Sequence, residues 1–410
     1  MIRDRNILCF ASGWDYHPTS KHHIMRKLSE HNHVVWVNWH ASRRPGFKSG
    51  DLCSVFGKLR QIRCGPQRVA DNITVVTPPQ LPLPGSRWAG RINARIVSSA
   101  VRDVLGSLEP RPVQFWSFAP DVAMLAGRFD EELVLYYCVD AFGEFPGYDR
   151  AMIARRERAL IERSDVVLTT SEPLYEAKRR LHGNVHLVEH GVDHAHLSRA
   201  VHEPLPTPPD LDVLPRPIIG FVGVVGQWVN LELIAGLARC RPNASIVVIG
   251  PTATSIDVLR GLPNVHILGP RNHDALPAYL RAFDVGLIPF RRTPLTLHAN
   301  PIKLYEYLAA GVPVVSTTMP AVRPAAGAVW VADTVPDTVL ACEVALLNND
   351  PSERRARSEA TRAHAWSARL DHIGRIIEDT LSPGVSSDRQ TDAKCDASTP
   401  EPEPVETTVG

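Results

Sequence analysis

Short apolar runs alternate with helical patterns along most of this chain, and the alternation is broken once. Residues 201–217 carry Pro204, Pro206, Pro208, Pro209, Pro215 and Pro217. Proline fixes φ and removes a backbone donor, so this stretch reads as a linker and not as an element. Upstream, residues 7–11, 34–37, 73–76, 113–118, 133–139, 166–169 and 185–188 read as strands, and 21–30, 87–105, 150–163 and 173–181 as helices. Downstream the rhythm restarts with strands at 218–222, 245–249, 265–268, 285–289, 312–316 and 329–331. Strands separated by helices imply parallel sheets covered on both faces. The fold class expected is therefore α/β, with two doubly wound, Rossmann-like domains facing a cleft. Their bounds are residues 1–200 and 218–365, joined by 201–217. Ligands of such sheets sit beyond the carboxyl ends of the strands, which makes the cleft the expected site. Residues 352–381 read as one long charged helical stretch containing Trp366. The tail, 382–410, is dominated by Ser, Asp, Thr, Pro and Glu and reads as disordered.

Composition excludes several classes. A net charge of +1 gives no global case for nucleic acid binding. The seven cysteines are scattered and form no CxxC pair, which points to reduced thiols in a cytosol and away from a zinc site. The N-terminus reads as a first strand, not a signal peptide, and no run approaches the ~20 apolar residues of a membrane span. The expectation is a cytoplasmic protein, soluble or peripheral.

Residues 300–316, Asn-Pro-Ile-Lys-Leu-Tyr-Glu-Tyr-Leu-Ala-Ala-Gly-Val-Pro-Val-Val-Ser, carry the densest functional signal. Asn300 reads as an N-cap and Pro301 as the first helical residue. Gly311 suits the left-handed position past the helix end, and Pro313 forbids continuation. A helix N-terminus offers free N–H groups and positive dipole charge to an anion. Lys303 adds a cation one turn in, and Glu306 a carboxylate on the same face that can accept from a sugar diol. Phosphate, cation and diol acceptor in series point to a nucleotide-sugar site. The bland alternatives are a solvated lysine and an i,i+3 ion pair of ~0.2–0.5 kcal/mol.

These features resemble a family. The two-domain rhythm, the 300–316 segment, His190-Gly191-Val192-Asp193 before the linker and Gly220-Phe221-Val222-Gly223 after it look like GT-B glycosyltransferases over residues 7–381. Glu306 and the Ala310-Gly311-Val312-Pro313 run are similar to the second half of the family-4 E-x7-E signature. Trp366-Ser367-Ala368-Arg369 resembles the start of the helix, here 366–381, that crosses back to the first domain. The Asn-Pro-Ile-Lys version is similar to transferases of teichuronic acid assembly and, more remotely, to the glucuronosyltransferase of xanthan assembly. The resemblance implies a metal-independent transferase with no cofactor and a nucleotide-sugar donor, UDP-linked, in polysaccharide biosynthesis. Two departures stand out. His298 occupies the place of the first signature Glu, and Val224-Val225-Gly226-Gln227-Trp228-Val229-Asn230 lacks the Arg and Lys usual in retaining members. An inverting route then needs a general base, and Asp140, at the end of the 133–139 strand, matches the aspartate of the xanthan enzyme. Its alternative role is a loop cap.

Several further residues are candidates. His298 stands ready to donate to phosphate or sugar, and Phe290 to stack on the nucleobase. Gly223 and Gly226 permit close approach of phosphate. Gly13, Asp15 and His190 fall at strand ends on the acceptor side; each has a turn or packing role as its alternative. No DxD pair lies at a convincing strand end, and no metal site is expected. Arg43, Arg44, Lys48, Lys58, Arg60, Arg63 and Arg68, with Arg87, Arg91, Arg95 and Arg102 interleaved by Trp88 and Ile92, suit peripheral contact with an anionic membrane, or else a solvated helix face. The partners expected are a nucleotide-sugar donor and a saccharide or lipid-linked acceptor, with no nucleic acid. Two other readings remain: a nucleotide-sugar 2-epimerase, which would convert donor without acceptor, and a non-catalytic binder, which would hold UDP without turnover.

Overall fold

The computed structural model describes residues 2–15, 19–39, 65–81, 83 and 86–382. The sequence readings at 40–64 and 383–410 lie outside the described residues. Two sheets form, one on each side of the proline-dense stretch. The first contains β1 (Asn6–Ala11), β2 (His33–Asn38), β3 (Gln67–Ala70), β4 (Ile73–Val76), β5 (Val113–Ser117), β6 (Glu131–Cys138), β7 (Val166–Thr169) and β8 (Val185–Leu187), in the order β3-β4-β2-β1-β5-β6-β7-β8. Only the β3–β4 pairing is antiparallel. The second contains β9 (Ile218–Val222), β10 (Ser245–Ile249), β11 (Val265–Gly269), β12 (Val285–Ile288), β13 (Val314–Ser316) and β14 (Val329–Val331), all parallel, in the order β11-β10-β9-β12-β13-β14. Strand order reverses beside β1 and beside β9. Those switch points open crevices at the carboxyl ends of both sheets.

Each sheet is buried on both faces, as parallel sheets require. Leu8 and Phe10 of β1 join one apolar cluster, and Ile7, Cys9 and Ala11 join the other. The second cluster is completed from the far end of the chain. The Trp366–Leu381 helix inserts Trp366, Leu370, Ile373, Ile376 and Ile377 against the first sheet. The last helix thus crosses back, as the resemblance implied.

Two sequence expectations are corrected. Residues 352–381 are not one helical stretch: Pro351–Thr361 and Trp366–Leu381 are separate helices. Between them Ala365 is extended, and the chain pairs with Val192 instead of with itself. Val192 N–H donates to His364 C=O at 2.9 Å, and Trp366 N–H to Val192 C=O at 3.1 Å. Nor is 201–217 free of structure. Pro209–Asp212 makes one helical turn with Pro209 at its start, where the missing N–H has no consequence, and buries Leu211.

Candidate active site

A cavity of about 380 Å³ lies between the carboxyl ends of the two sheets. Residues on both sides line it. Asp140 follows β6, Lys21 sits in the first turn of the Ser20–Leu28 helix after β1, and His190 follows β8. Opposite them stand Gly223 after β9, Gly250 after β10, Phe290 after β12, and Asn300, Lys303 and Glu306.

The Ile302–Ala309 helix starts one residue later than its sequence suggests. Pro301, not Asn300, occupies the N-cap, and no side chain caps the helix. Asn300 is therefore corrected from cap to wall. Its Nδ2 donates to Tyr305 Oη at 3.2 Å, while its buried Oδ1 has no partner. A buried amide oxygen left unmade is unfavourable, which favours a donor arriving from the cavity. The uncapped helix start leaves its first N–H groups to the cleft. Lys303 Nζ donates to Glu306 Oε2 at 2.6 Å, with side-chain exposures of only 16% and 11%. The expected i,i+3 pair exists, but it is half-sequestered in the cavity wall and not a solvated surface pair. The far end of the helix follows the sequence: Gly311 has φ 72°, and an added Cβ would stand 2.6 Å from the Arg354 carbonyl oxygen.

The opposite wall carries the titratable groups. Burial pushes the Asp140 carboxyl up to about 7, against the downward pull of Lys21. His190 is pushed down to about 4 by burial and, less, by Arg369, so its ring is neutral at pH 7. Its Nδ1 is buried without a partner. Arg271 also lines the cavity but is committed to Asp210 at 2.7 Å and to Tyr279 Oη at 2.7 Å.

Other candidates fall elsewhere. His298 caps the end of the Pro294–Leu297 helix, its Nδ1 bonds the Pro294 carbonyl at 2.6 Å, and it does not line the cavity. Its backbone carbonyl accepts from Ser171 Oγ at 2.6 Å, tying the two halves together. Gly226 leaves room for Trp228, whose ring would stand 2.5 Å from an added Cβ, so packing and not phosphate approach explains this glycine. Gly223 does line the cavity, and an added Cβ would lie 3.7 Å from Lys303 Cε. Gly13 and Asp15 follow β1 but lie outside the cavity lining. Among the described residues no His, Cys, Asp and Glu group could hold a metal. Sequence reasoning missed Lys21 and Gly250. Lys21 had one legible signal, a cation in a helix first turn that carries no acid. For Gly250 the constraint is spatial: an added Cβ would strike the Gly223 carbonyl oxygen at 1.9 Å.

Two doubly wound sheets facing one cleft, with a final helix returned to the first sheet, make a GT-B fold. Residues 216–349 match the family described as Glycosyl transferases group 1, and the fold is that of GT-B transferases. TuaH of Bacillus subtilis, named as a glycosyltransferase of teichuronic acid biosynthesis, is 28% identical over 282 residues, which span 63% of this chain and 70% of that protein. HepE of Anabaena, solved with UDP and glucose, matches with a TM-score of 0.63 at 12% identity over 91% of this chain and 99% of its own. A UDP-forming α,α-trehalose-phosphate synthase from Burkholderia xenovorans matches with a TM-score of 0.64 at 15% identity over 93% and 100%. At these identities the structural likeness speaks to the fold alone.

Proposed function

We propose that the protein transfers a hexose or hexuronate from a UDP-linked donor to a saccharide or lipid-linked acceptor, at the cytoplasmic face, in cell-surface or exopolysaccharide assembly. The observation that carries this reading is that Asp140 lines the same cavity as Lys303, Glu306 and Asn300, from the opposite side. In the reading, the donor diphosphate lies at the uncapped start of the Ile302–Ala309 helix beside Lys303. Glu306 accepts from a diol of the donor, and Asn300 Oδ1 gains the hydrogen bond it lacks. Asp140 takes the proton of the acceptor hydroxyl as its oxygen attacks the anomeric carbon. The bond from that carbon to the diphosphate breaks, UDP leaves, and the configuration inverts. A carboxyl near 7 is matched to this work at neutral pH. Related proteins solved with UDP or named UDP-forming support the choice of nucleotide, and the relative named for teichuronic acid biosynthesis supports the pathway class.

A donor panel with product anomers read by NMR, using a lipid extract as acceptor, tests the reading. Inverted product from a UDP-sugar is expected; retained configuration would remove Asp140 as base. The acceptor side also bears on membranes. The Arg87–Gly106 helix buries Ala94, Val97 and Val101 but exposes Trp88 (57%) and Ile92 (36%) near Arg91 and Arg95. No helix among the described residues is long and apolar enough to cross a membrane. Peripheral contact with anionic lipid through this face fits both facts. Co-sedimentation with phosphatidylglycerol vesicles, lost in Trp88→Glu, would support it; equal binding by the variant would count against it.

A further inference from the structure

Lys21 is not explained by the fold. It stands in the first turn of the Ser20–Leu28 helix, where the dipole disfavours a cation, and no acid shares that turn to relieve it. Its ammonium donates to Ser12 Oγ at the end of β1, which fixes its direction but uses only one of three N–H donors. The side chain lines the same cavity as Asp140, without a direct hydrogen bond or ion pair to it. Asp140, for its part, lies two residues past β6, whose last six residues are buried, and no described residue donates a hydrogen bond to its carboxylate. Such a carboxylate is poorly solvated and lacks the donors that normally hold it ionised.

The other charged or titratable groups around this cavity are already engaged or neutral. Lys303 and Glu306 pair with each other. Arg271 is paired with Asp210. His190, after β8, is neutral. Cys9, on β1 near Lys21, has a thiol pushed far up by burial and carries no charge. Lys21 is the cation that draws the Asp140 carboxyl down, while burial lowers the Lys21 ammonium itself, opposed by Cys9 and Asp140.

Building on the reading of Asp140 as base, we propose that Lys21 is its positioning residue: anchored on Ser12, the ammonium holds the strand-end carboxylate in the ionised, proton-accepting form and so sets the acid limit of transfer. Two consequences follow. Once Asp140 has taken the acceptor proton, Lys21 is left with an uncompensated charge, which favours returning the proton to solvent before the next turnover. The pairing also gives the first domain a cation of its own, distinct from Lys303 on the donor side.

The test is a carboxyl titration that needs no substrate. Protein labelled with carboxyl-13C aspartate is titrated from pH 4 to 9, and the Asp140 resonance is assigned by its absence in Asp140→Asn. In Lys21→Met the Asp140 midpoint is expected to rise by at least one pH unit. Lys21→Arg is expected to keep it near the wild-type value. Ser12→Ala, a milder change that serves if Lys21→Met does not fold, is expected to raise it by a smaller amount. Calorimetric affinity for UDP should be unchanged in all of them. An Asp140 midpoint that stays put in a folded Lys21→Met, or in Ser12→Ala where Lys21→Met does not fold, overturns the role of Lys21. If the midpoint moves but Asp140→Asn still transfers sugar at the wild-type rate, the pairing stands and the base assignment fails. With the donor found in the panel, the acid limb of the rate profile should move with the titration.

Discussion

Asp140→Asn should stabilise the protein while abolishing transfer, and the stabilisation should depend on pH. Burial raises the Asp140 carboxyl from 3.8 to about 7. In the unfolded chain this group loses its proton near its ordinary value; in the folded chain it keeps it longer. Between those two values the folded state binds more protons than the unfolded one, so stability falls as pH rises through the interval. The penalty is absent below pH 4 and complete above pH 7. At about 1.36 kcal/mol per pH unit the interval corresponds to roughly 4 kcal/mol as an upper bound. The cleft is open to water and Lys21 lies nearby, so a realised effect of ~1–2 kcal/mol is the reasonable figure. For domains of this size that is a rise in Tm of roughly 3–6 °C. Asparagine keeps the shape and removes the charge, so the variant should exceed wild type at pH 8 by that margin and by a smaller one at pH 4.5. Thermal melts by circular dichroism at the two pH values give the answer. An equal Tm at pH 8, or a gap that does not change with pH, would refute the account of a carboxylate held out of water for function.

Three further outcomes are expected. Lys303→Ala should weaken UDP binding at least tenfold by calorimetry, about 1.4 kcal/mol, because the cation at the uncapped helix start is lost; unchanged affinity would remove the phosphate role. Gly311→Ala should lower stability by about 1–3 kcal/mol in a urea melt, since its φ of 72° and the Arg354 carbonyl at 2.6 Å both resist a side chain. Trp366→Ala should cost about 3–5 kcal/mol, because its ring is 5% exposed and seals the first sheet, and near-neutral unfolding data would mean that the site collapses to fill the void.

How much of this was legible in the sequence depended on what each feature needed. The central strands were, because buried parallel strands read as continuous apolar runs: 73–76, 166–169, 218–222 and 245–249 match to the residue. β3 was not, since all four of its residues are exposed and it pairs only at an edge. A helix start at 366 was read from the resemblance, but residue types alone gave one stretch over 352–381, because the break before it depends on a partner, Val192, far away in sequence. Asn300 was misread as a cap by its type and its proline neighbour, when Tyr305 and the cavity claim its side chain instead. Lys21 and Asp140 came to line one cavity only because β1 and β6, separated in the sheet by β5, brought their following segments together. Local propensity specified the elements; the meeting of side chains across the cleft was specified by topology.

The bridge between Val192 and Ala365 has one more consequence. The chain passes between its two halves near Val192 and again near Ala365, and the two passages run side by side, joined by hydrogen bonds of 2.9 and 3.1 Å. Two tethers set apart would either lock the halves or let them twist. Two tethers fused at one place act as a single hinge. Any opening of the cleft between Lys303 and Asp140 would then turn about that line, with sliding and torsion opposed by the bridge. Under the proposed reading, that constraint preserves register across the cleft, so that a donor beside Lys303 meets Asp140 at the same point each time.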